Sequence, residues 1–279
     1  MAYRIGWFTT ARDRAAIELF NAVYDGIKRR EIKGEISFVF SNREENESAI
    51  GDDFFALVRS LEIPPITFSS QKFKPEMRAS GRRDEEVLKK WRSEYDREVI
   101  QRIGGFEPDI IILAGYMLIV SGEICRRFDM LNLHPAVPGG PTGTWQEVIW
   151  QLIKEEQDGT GAMMHFVTDE LDKGPPATYY TFSIRGGQFT GLWKELEENL
   201  RNRTLSQIIK EEDEDNPLFA LIRAEGAKRE IPLIFNTIKE FANGKIRIED
   251  GKVMSGEEII QGGYCLNKEI EKYLKSSLD

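Results

Sequence analysis

Pro108-Asp109-Ile110-Ile111-Ile112-Leu113-Ala114-Gly115 is the stretch around which the rest of the chain falls into order. Its unbroken apolar run between a Pro-Asp entry and a glycine exit leaves no polar face, as expected of a strand buried on both sides in a parallel sheet. Working outward, residues 3–8 are apolar and aromatic, residues 9–13 polar, and Ile17, Phe20, Val23 and Ile27 then recur at helical spacing. A second strand is expected at 36–40, followed by a helix carrying Phe55, Val58 and Leu61 with Asp52 or Asp53 as its cap. Pro64-Pro65 ends that helix and residues 66–68 read as a third strand. The order βαβαβ is that of a parallel sheet covered by helices.

Residues 69–83 are polar and basic without an apolar period, which predicts a loop. Leu88, Trp91, Tyr95, Val99 and Ile103 then mark one face of a long helix that ends at Gly104-Gly105. Beyond the central strand, residues 130–133 form a short strand running into His134-Pro135, a helix resumes near Trp145, and strands are expected at 161–167 and 177–182. After Ile184 the pattern turns helical, at 192–209 and 218–241, with the acidic run 211–215 as a solvated linker between them. Asn243-Gly244 and Asp250-Gly251 bracket a small strand or hairpin at 245–249. The expectation is a three-layer, Rossmann-like α/β fold with a mainly parallel sheet: a catalytic domain over 1–184 and a helical C-terminal extension over 185–279 packed on it.

With 279 residues, 41% of them hydrophobic, the chain is long and apolar enough for a large core. The longest apolar stretch, 110–120, is too short to span a membrane, and the N-terminus has no secretory-type apolar segment, so a cytoplasmic protein without a membrane partner is expected. Cys125 and Cys265 are too few for a disulfide framework, and no ligand cluster suggests a metal. A net charge of -9 opposes general attraction to nucleic acid, leaving small molecules as the expected partners of a monomer or homodimer.

Chemistry concentrates at strand ends, where ligands bind in open α/β sheets. Asn132 and His134 are two apart, so their side chains share one side of an extended segment and can converge on one atom. Asp172, in the turn closed by Gly174-Pro175, supplies a carboxylate that can pair with His134 and orient its ring. An amide donor, an imidazolium and a carboxylate suit stabilisation of an oxyanion. Structural roles compete at each position: Asn132 and His134 bonding loop backbone, Asp172 bonding its own turn, His165 satisfied inside its strand.

Tyr95-Asp96-Arg97-Glu98, Leu113-Ala114-Gly115-Tyr116-Met117, Asn132-Leu133-His134-Pro135 and the run from His165 to Pro175 occur in the order and near the spacing of the folate-dependent phosphoribosylglycinamide formyltransferases. The chain resembles that family over about a third of its length. The resemblance implies the formyltransferase fold and transfer of a formyl group from 10-formyltetrahydrofolate to a primary amine, with Asn132, His134 and Asp172 catalytic. The acceptor it points to is phosphoribosylglycinamide, in purine biosynthesis. An amino sugar or other small amine as acceptor, hydrolysis of formyltetrahydrofolate, and folate binding without transfer are the alternatives.

The resemblance also implies that the folate's pterin end lies between residues 116–120 and 167–172, which gives Tyr116, Met117, Leu118, Val120, Val167, Thr168 and Asp169 as donor-binding residues. Leu118 stands where the family has an arginine. At the first strand-to-helix turn the family carries a glycine- and serine-rich loop that cradles the substrate phosphate on backbone N–H groups. This chain has Thr9-Thr10-Ala11-Arg12-Asp13-Arg14 there, so Thr9, Thr10, Arg12 and Arg14 are the candidates for holding an acceptor anion.

Overall fold

A computed structural model describes residues 2–170 and 173–276. The chain forms two compact units, each assembled from separate segments: Met1–Asn132, His165–Pro175 and Ile238–Ile259 in the first, Leu133–Met164, Pro176–Thr237 and Ile260–Asp279 in the second.

The first unit follows the βαβαβ order: β1 (Tyr3–Thr9), α1 (Arg14–Lys28), β2 (Gly34–Ser41), α2 (Ala49–Ser60), β3 (Pro65–Thr67), α3 (Pro75–Gly81), α4 (Glu85–Ile103), β4 (Ile110–Leu113), α5 (Gly122–Arg127) and the start of β5 (Met130–His134). Its strands lie parallel in the order β5-β4-β1-β2-β3. Every residue of β4 is buried, as its unbroken apolar run requires. Leu113 pairs with Phe8 on one side and Asn132 on the other, so β1 and β4 end within one residue of each other and their following loops start from one edge. Gly115, at φ 67, turns the chain there, in a conformation a side chain disfavours.

The helices report how local chemistry sets boundaries. The cap of α2 is Ser48, whose hydroxyl accepts from Gly51 N, and not Asp52 or Asp53, which fall inside the helix. The stretch 69–83 is not all loop: Pro75 starts α3, and Met77 packs on the core, a single apolar contact that gives no period to read. On α4, Trp91, Tyr95, Val99 and Ile103 are buried, with Leu88 packed beside them. Tyr95 stacks between Phe68 and Trp91 at 4.9 and 5.2 Å. Phe8, Phe38, Phe40, Trp91 and Tyr95 share one core and are each at most 2% exposed; burying a side chain of that kind is worth about 1.5–3 kcal/mol.

The second unit holds α6 (Trp145–Lys154), most of β6 (Gly159–Phe166), β7 (Pro176–Ser183), α7 (Phe189–Asn199), α8 (Leu205–Glu212), most of α9 (Pro217–Ala242), β11 (Tyr264–Cys265) and α10 (Asn267–Ser276). Its strands run in the order β11-β7-β6. A Cβ on Gly161 would sit 1.8 Å from the Tyr180 carbonyl oxygen, so glycine is required where β6 passes β7. The helical stretch expected at 192–209 is two helices, because Thr204 caps a new one through a capping box with Gln207. Residues 213–215 are a 3-10 turn joining α8 to α9. Trp150, Trp193, Leu196, Phe219 and Ile222 join the helices into a second core.

The C-terminal part also carries strands. The stretch expected as a small strand or hairpin at 245–249 supplies the single strand β8 (Arg247–Glu249), which pairs with β9 (Lys252–Ser255) around Asp250-Gly251, both at positive φ, and β10 (Glu258–Ile259) extends the pair to a three-stranded antiparallel sheet in the first unit. Among the described residues, no helix is long and apolar enough to cross a membrane.

Candidate active site

Asn132 and His134 end β5, two residues apart on a strand whose pleat sends alternate side chains to opposite faces. Asn132 is half-buried, and its Nδ2 lies 3.4 Å from Nε2 of His165, the buried histidine of β6. The Nδ1 of His165 lies 3.1 Å from the carbonyl oxygen of Phe166. A carbonyl can only accept, so Nδ1 carries a proton, and an Nε2 without one is placed to accept from Asn132 Nδ2. His134 is buried, with Nε2 donating to the Pro141 carbonyl at 3.1 Å, which anchors its ring to the Gly/Pro-rich loop. Asp172, the expected partner of His134, lies outside the described residues.

The donor-pocket residues separate by environment. Tyr116, Val120 and Val167 belong to the core of the first unit, and Leu118 packs against it. Met117 does not join that wall and is 55% exposed. Met117 N–H donates to Thr10 Oγ1 at 2.9 Å. Val167 N–H donates to the Met130 carbonyl at 2.9 Å, fixing the chain as it leaves β6. Thr168 closes a local turn through its hydroxyl and the backbone of Glu170, and Asp169 is exposed.

At the first turn, Thr9 and Thr10 are buried, and their hydroxyl oxygens accept from Ala11 N and Met117 N. They build the turn. Ala11 holds φ 47, a left-handed conformation usually left to glycine. Arg12 and Arg14 are exposed, and Arg12 stands 3.5 Å from Asp13. Asp13 caps α1 by accepting from Ala16 N at 3.2 Å, so a carboxylate already occupies the helix N-terminus.

A further group of residues escapes notice in the sequence. Lys89 and Arg92 of α4, Ile119, Ser121, Arg126 of α5 and Asp169 line a cavity of about 580 Å³ in the first unit. Among the described residues, neither Arg92 nor Arg126 forms an ion pair. Burial lowers the Arg92 pKa, since removing water disfavours a cation. Glu123 on the same wall is taken by Arg97 and Ser93, whose hydrogen bonds hold it down at about 2. Deeper, the buried Asp96 accepts from Ser121 N at 2.5 Å, and burial pushes its carboxyl up to about 6 despite that bond. The signal available in the sequence is the i, i+4 spacing of Arg92 and Asp96, which places both on one side of α4.

Residues 15–185 match the family model described as formyl transferase. The phosphoribosylglycinamide formyltransferase of Escherichia coli (strain K12) is 32% identical over 162 residues, covering 55% of this chain and 62% of that protein. The formyltetrahydrofolate deformylase of the same strain is 25% identical over 126 residues, covering 42% of this chain and 44% of that protein. The chain thus spans less than two thirds of these relatives' length. Among solved structures, the phosphoribosylglycinamide formyltransferase of Coxiella burnetii aligns with a TM-score of 0.62 at 17% identity, over 95% of this chain and 99% of that one, a likeness of fold. The family match takes in more than half the sequence, from α1 through β7, including both histidines and the Asn132 strand end: the chain belongs to the formyl transferase family.

Proposed function

We propose that the chain transfers the formyl group of 10-formyltetrahydrofolate to a primary amine, that of phosphoribosylglycinamide, with Asn132, His134 and Asp172 as the catalytic residues. The observation that carries the reading is the end of β5, where an amide with its nitrogen toward His165 and a ring-anchored His134 stand two residues apart in a formyl transferase chain.

The amine nitrogen attacks the formyl carbon, a C–N bond forms, and the carbonyl π pair moves onto oxygen. The tetrahedral oxyanion takes hydrogen bonds from Asn132 Nδ2–H and from the Nδ1–H of the His134 imidazolium, whose Nε2–H is held by the Pro141 carbonyl. Asp172 keeps His134 charged and, directly or through a water, carries the amine proton to N10 of the folate. The C–N10 bond then breaks, releasing tetrahydrofolate and the formamide. Removing one such oxyanion donor ordinarily costs about 10²- to 10³-fold in kcat.

The donor's pterin lies against Tyr116, Leu118, Val120 and Val167, with Met117, Thr168 and Asp169 at its rim. Arg92 and Arg126 line a shared cavity beside Ile119 and form no salt bridge among the described residues, which suits the carboxylates of the folate's glutamate tail. They stand in for the arginine absent at Leu118. The acceptor phosphate is met by Arg12 and Arg14 at the surface of the first turn, behind which Thr9 and Thr10 hold the backbone.

The likeness to a deformylase favours one second reading, in which water replaces the amine. The test is incubation with 10-formyltetrahydrofolate and phosphoribosylglycinamide, its unphosphorylated riboside, amino sugars, or no acceptor, following tetrahydrofolate release and the formylated product. Formylated phosphoribosylglycinamide supports the proposal; acceptor-independent release of formate supports hydrolysis and overturns it.

A further inference from the structure

His165 sits in β6, 33 residues from Asn132 in sequence and 2% exposed. Its Nδ1–H is committed to the Phe166 carbonyl at 3.1 Å, and its Nε2 lies 3.4 Å from Asn132 Nδ2. A carboxamide has a donor end and an acceptor end of nearly equal size, so the asparagine's shape alone does not choose between its two orientations. The choice is made by what it faces. A ring with its proton on Nδ1 offers a lone pair at Nε2, and an amide turned the other way would set Oδ1 against that lone pair, two acceptors in contact in a buried place.

We infer that His165 is a positioning residue: its Nδ1–H tautomer holds the Asn132 amide with nitrogen toward the ring, so that the second Nδ2–H is presented to the formyl oxygen. The inference rests on the proposed role of Asn132 as an oxyanion donor. Phe166 O sets the tautomer, the tautomer sets the amide, and the amide sets the sign of the dipole that the developing charge meets. With the amide reversed, Oδ1 would face the oxyanion and raise its energy. His165 itself touches neither donor nor acceptor and exchanges no proton in the reaction.

The test is a double-mutant cycle on the full chain, measuring formyl transfer and calorimetric binding of a non-transferable folate analogue. His165→Leu removes the lone pair and should lower kcat about 10- to 100-fold, with both KM values and analogue binding within about threefold of wild type. His165→Gln, which restores an acceptor, should recover part of the loss. In an Asn132→Ala background, His165→Leu should cost less than about twofold, because no amide remains to orient. An equal cost in both backgrounds, or a loss confined to analogue binding, overturns the inference while leaving the transfer reading intact. A wild-type chain that transfers no formyl group overturns both. ¹⁵N NMR of the wild-type ring decides the matter even if His165→Leu does not fold: a proton on Nδ1 with an unprotonated Nε2 is expected, and a proton on Nε2 overturns it.

Discussion

Asp96→Asn isolates a buried carboxyl of α4 that holds the loop leading into the proposed donor pocket. Asp96 is 3% exposed, and its Oδ2 takes the Ser121 N–H that closes the loop following β4. Burial pushes its carboxyl from the ordinary 3.8 up to about 6, against the smaller downward pull of the Ser121 bonds. A folded-state pKa above the unfolded one means that the folded chain holds the proton more tightly. The group's contribution to stability is therefore complete below about 3.8 and is lost as the pH rises through about 6. At ~1.4 kcal/mol for each tenfold in proton affinity, most of a roughly 3 kcal/mol contribution disappears between pH 4 and pH 8. Asparagine keeps an acceptor for Ser121 and cannot ionise. Urea unfolding followed by tryptophan fluorescence should thus show the variant gaining about 2–3 kcal/mol on wild type across that interval. A difference that stays flat, or shrinks as the pH rises, refutes the reasoning. Because the substituted amide would still hold the loop, affinity for a folate analogue should stay within about twofold, whereas Asp96→Leu, which leaves the Ser121 N–H unpaired, should weaken it about tenfold.

Thr10→Val removes the acceptor of the Met117 N–H at nearly constant shape and should cost about 1–3 kcal/mol in chemical unfolding; a change under about 0.5 kcal/mol would show that water replaces the hydroxyl. Arg92→Ala and Arg126→Ala should each raise the donor's KM about tenfold at constant kcat, and an equal rise for a donor lacking the tail carboxylates would exclude the proposed contact. Asp13→Asn keeps a capping oxygen but removes a negative charge from the start of α1, so KM for a phosphorylated acceptor should fall severalfold while that for its riboside is unchanged. Arg12→Ala should move the same ratio the opposite way, and indifference in both variants places the phosphate elsewhere.

What could be read from the residues alone follows the range of the forces involved. Trp91, Tyr95, Val99 and Ile103 repeat at helical spacing because one face of α4 is buried, and residues 110–113 are uniformly apolar because both faces of β4 are. Both patterns are local, so both are legible. The helix α3 is not, since Pro75 starts it and Met77, Arg78 over the Trp91 ring and the buried Gly81 hold it without any apolar period. Ser48 outcompetes Asp52 as the α2 cap through backbone geometry, its extended φ -163 and ψ 127, which composition does not encode. At the candidate site, Asn132 and His134 declare themselves by their spacing in one strand. The bond from Asn132 to His165, the anchoring of His134 to Pro141 and the cavity shared by Arg92 and Arg126 depend on which elements pack together. The bond from Met117 N to Thr10 Oγ1, which joins two loops, is of the same long-range kind.

Turnover of His134→Ala, Asp172→Asn and their combination, with 10-formyltetrahydrofolate and phosphoribosylglycinamide at saturation, bears most directly on the proposed transfer machinery. If His134 and Asp172 act as one unit with Asn132, each single change lowers kcat by about 10²- to 10⁴-fold, and the double change costs far less than the product of the two. Folate-analogue binding by the same proteins stays near wild type, because the pocket wall is made by other residues. Near-wild-type turnover in either single variant, or losses that simply multiply, would contradict the account.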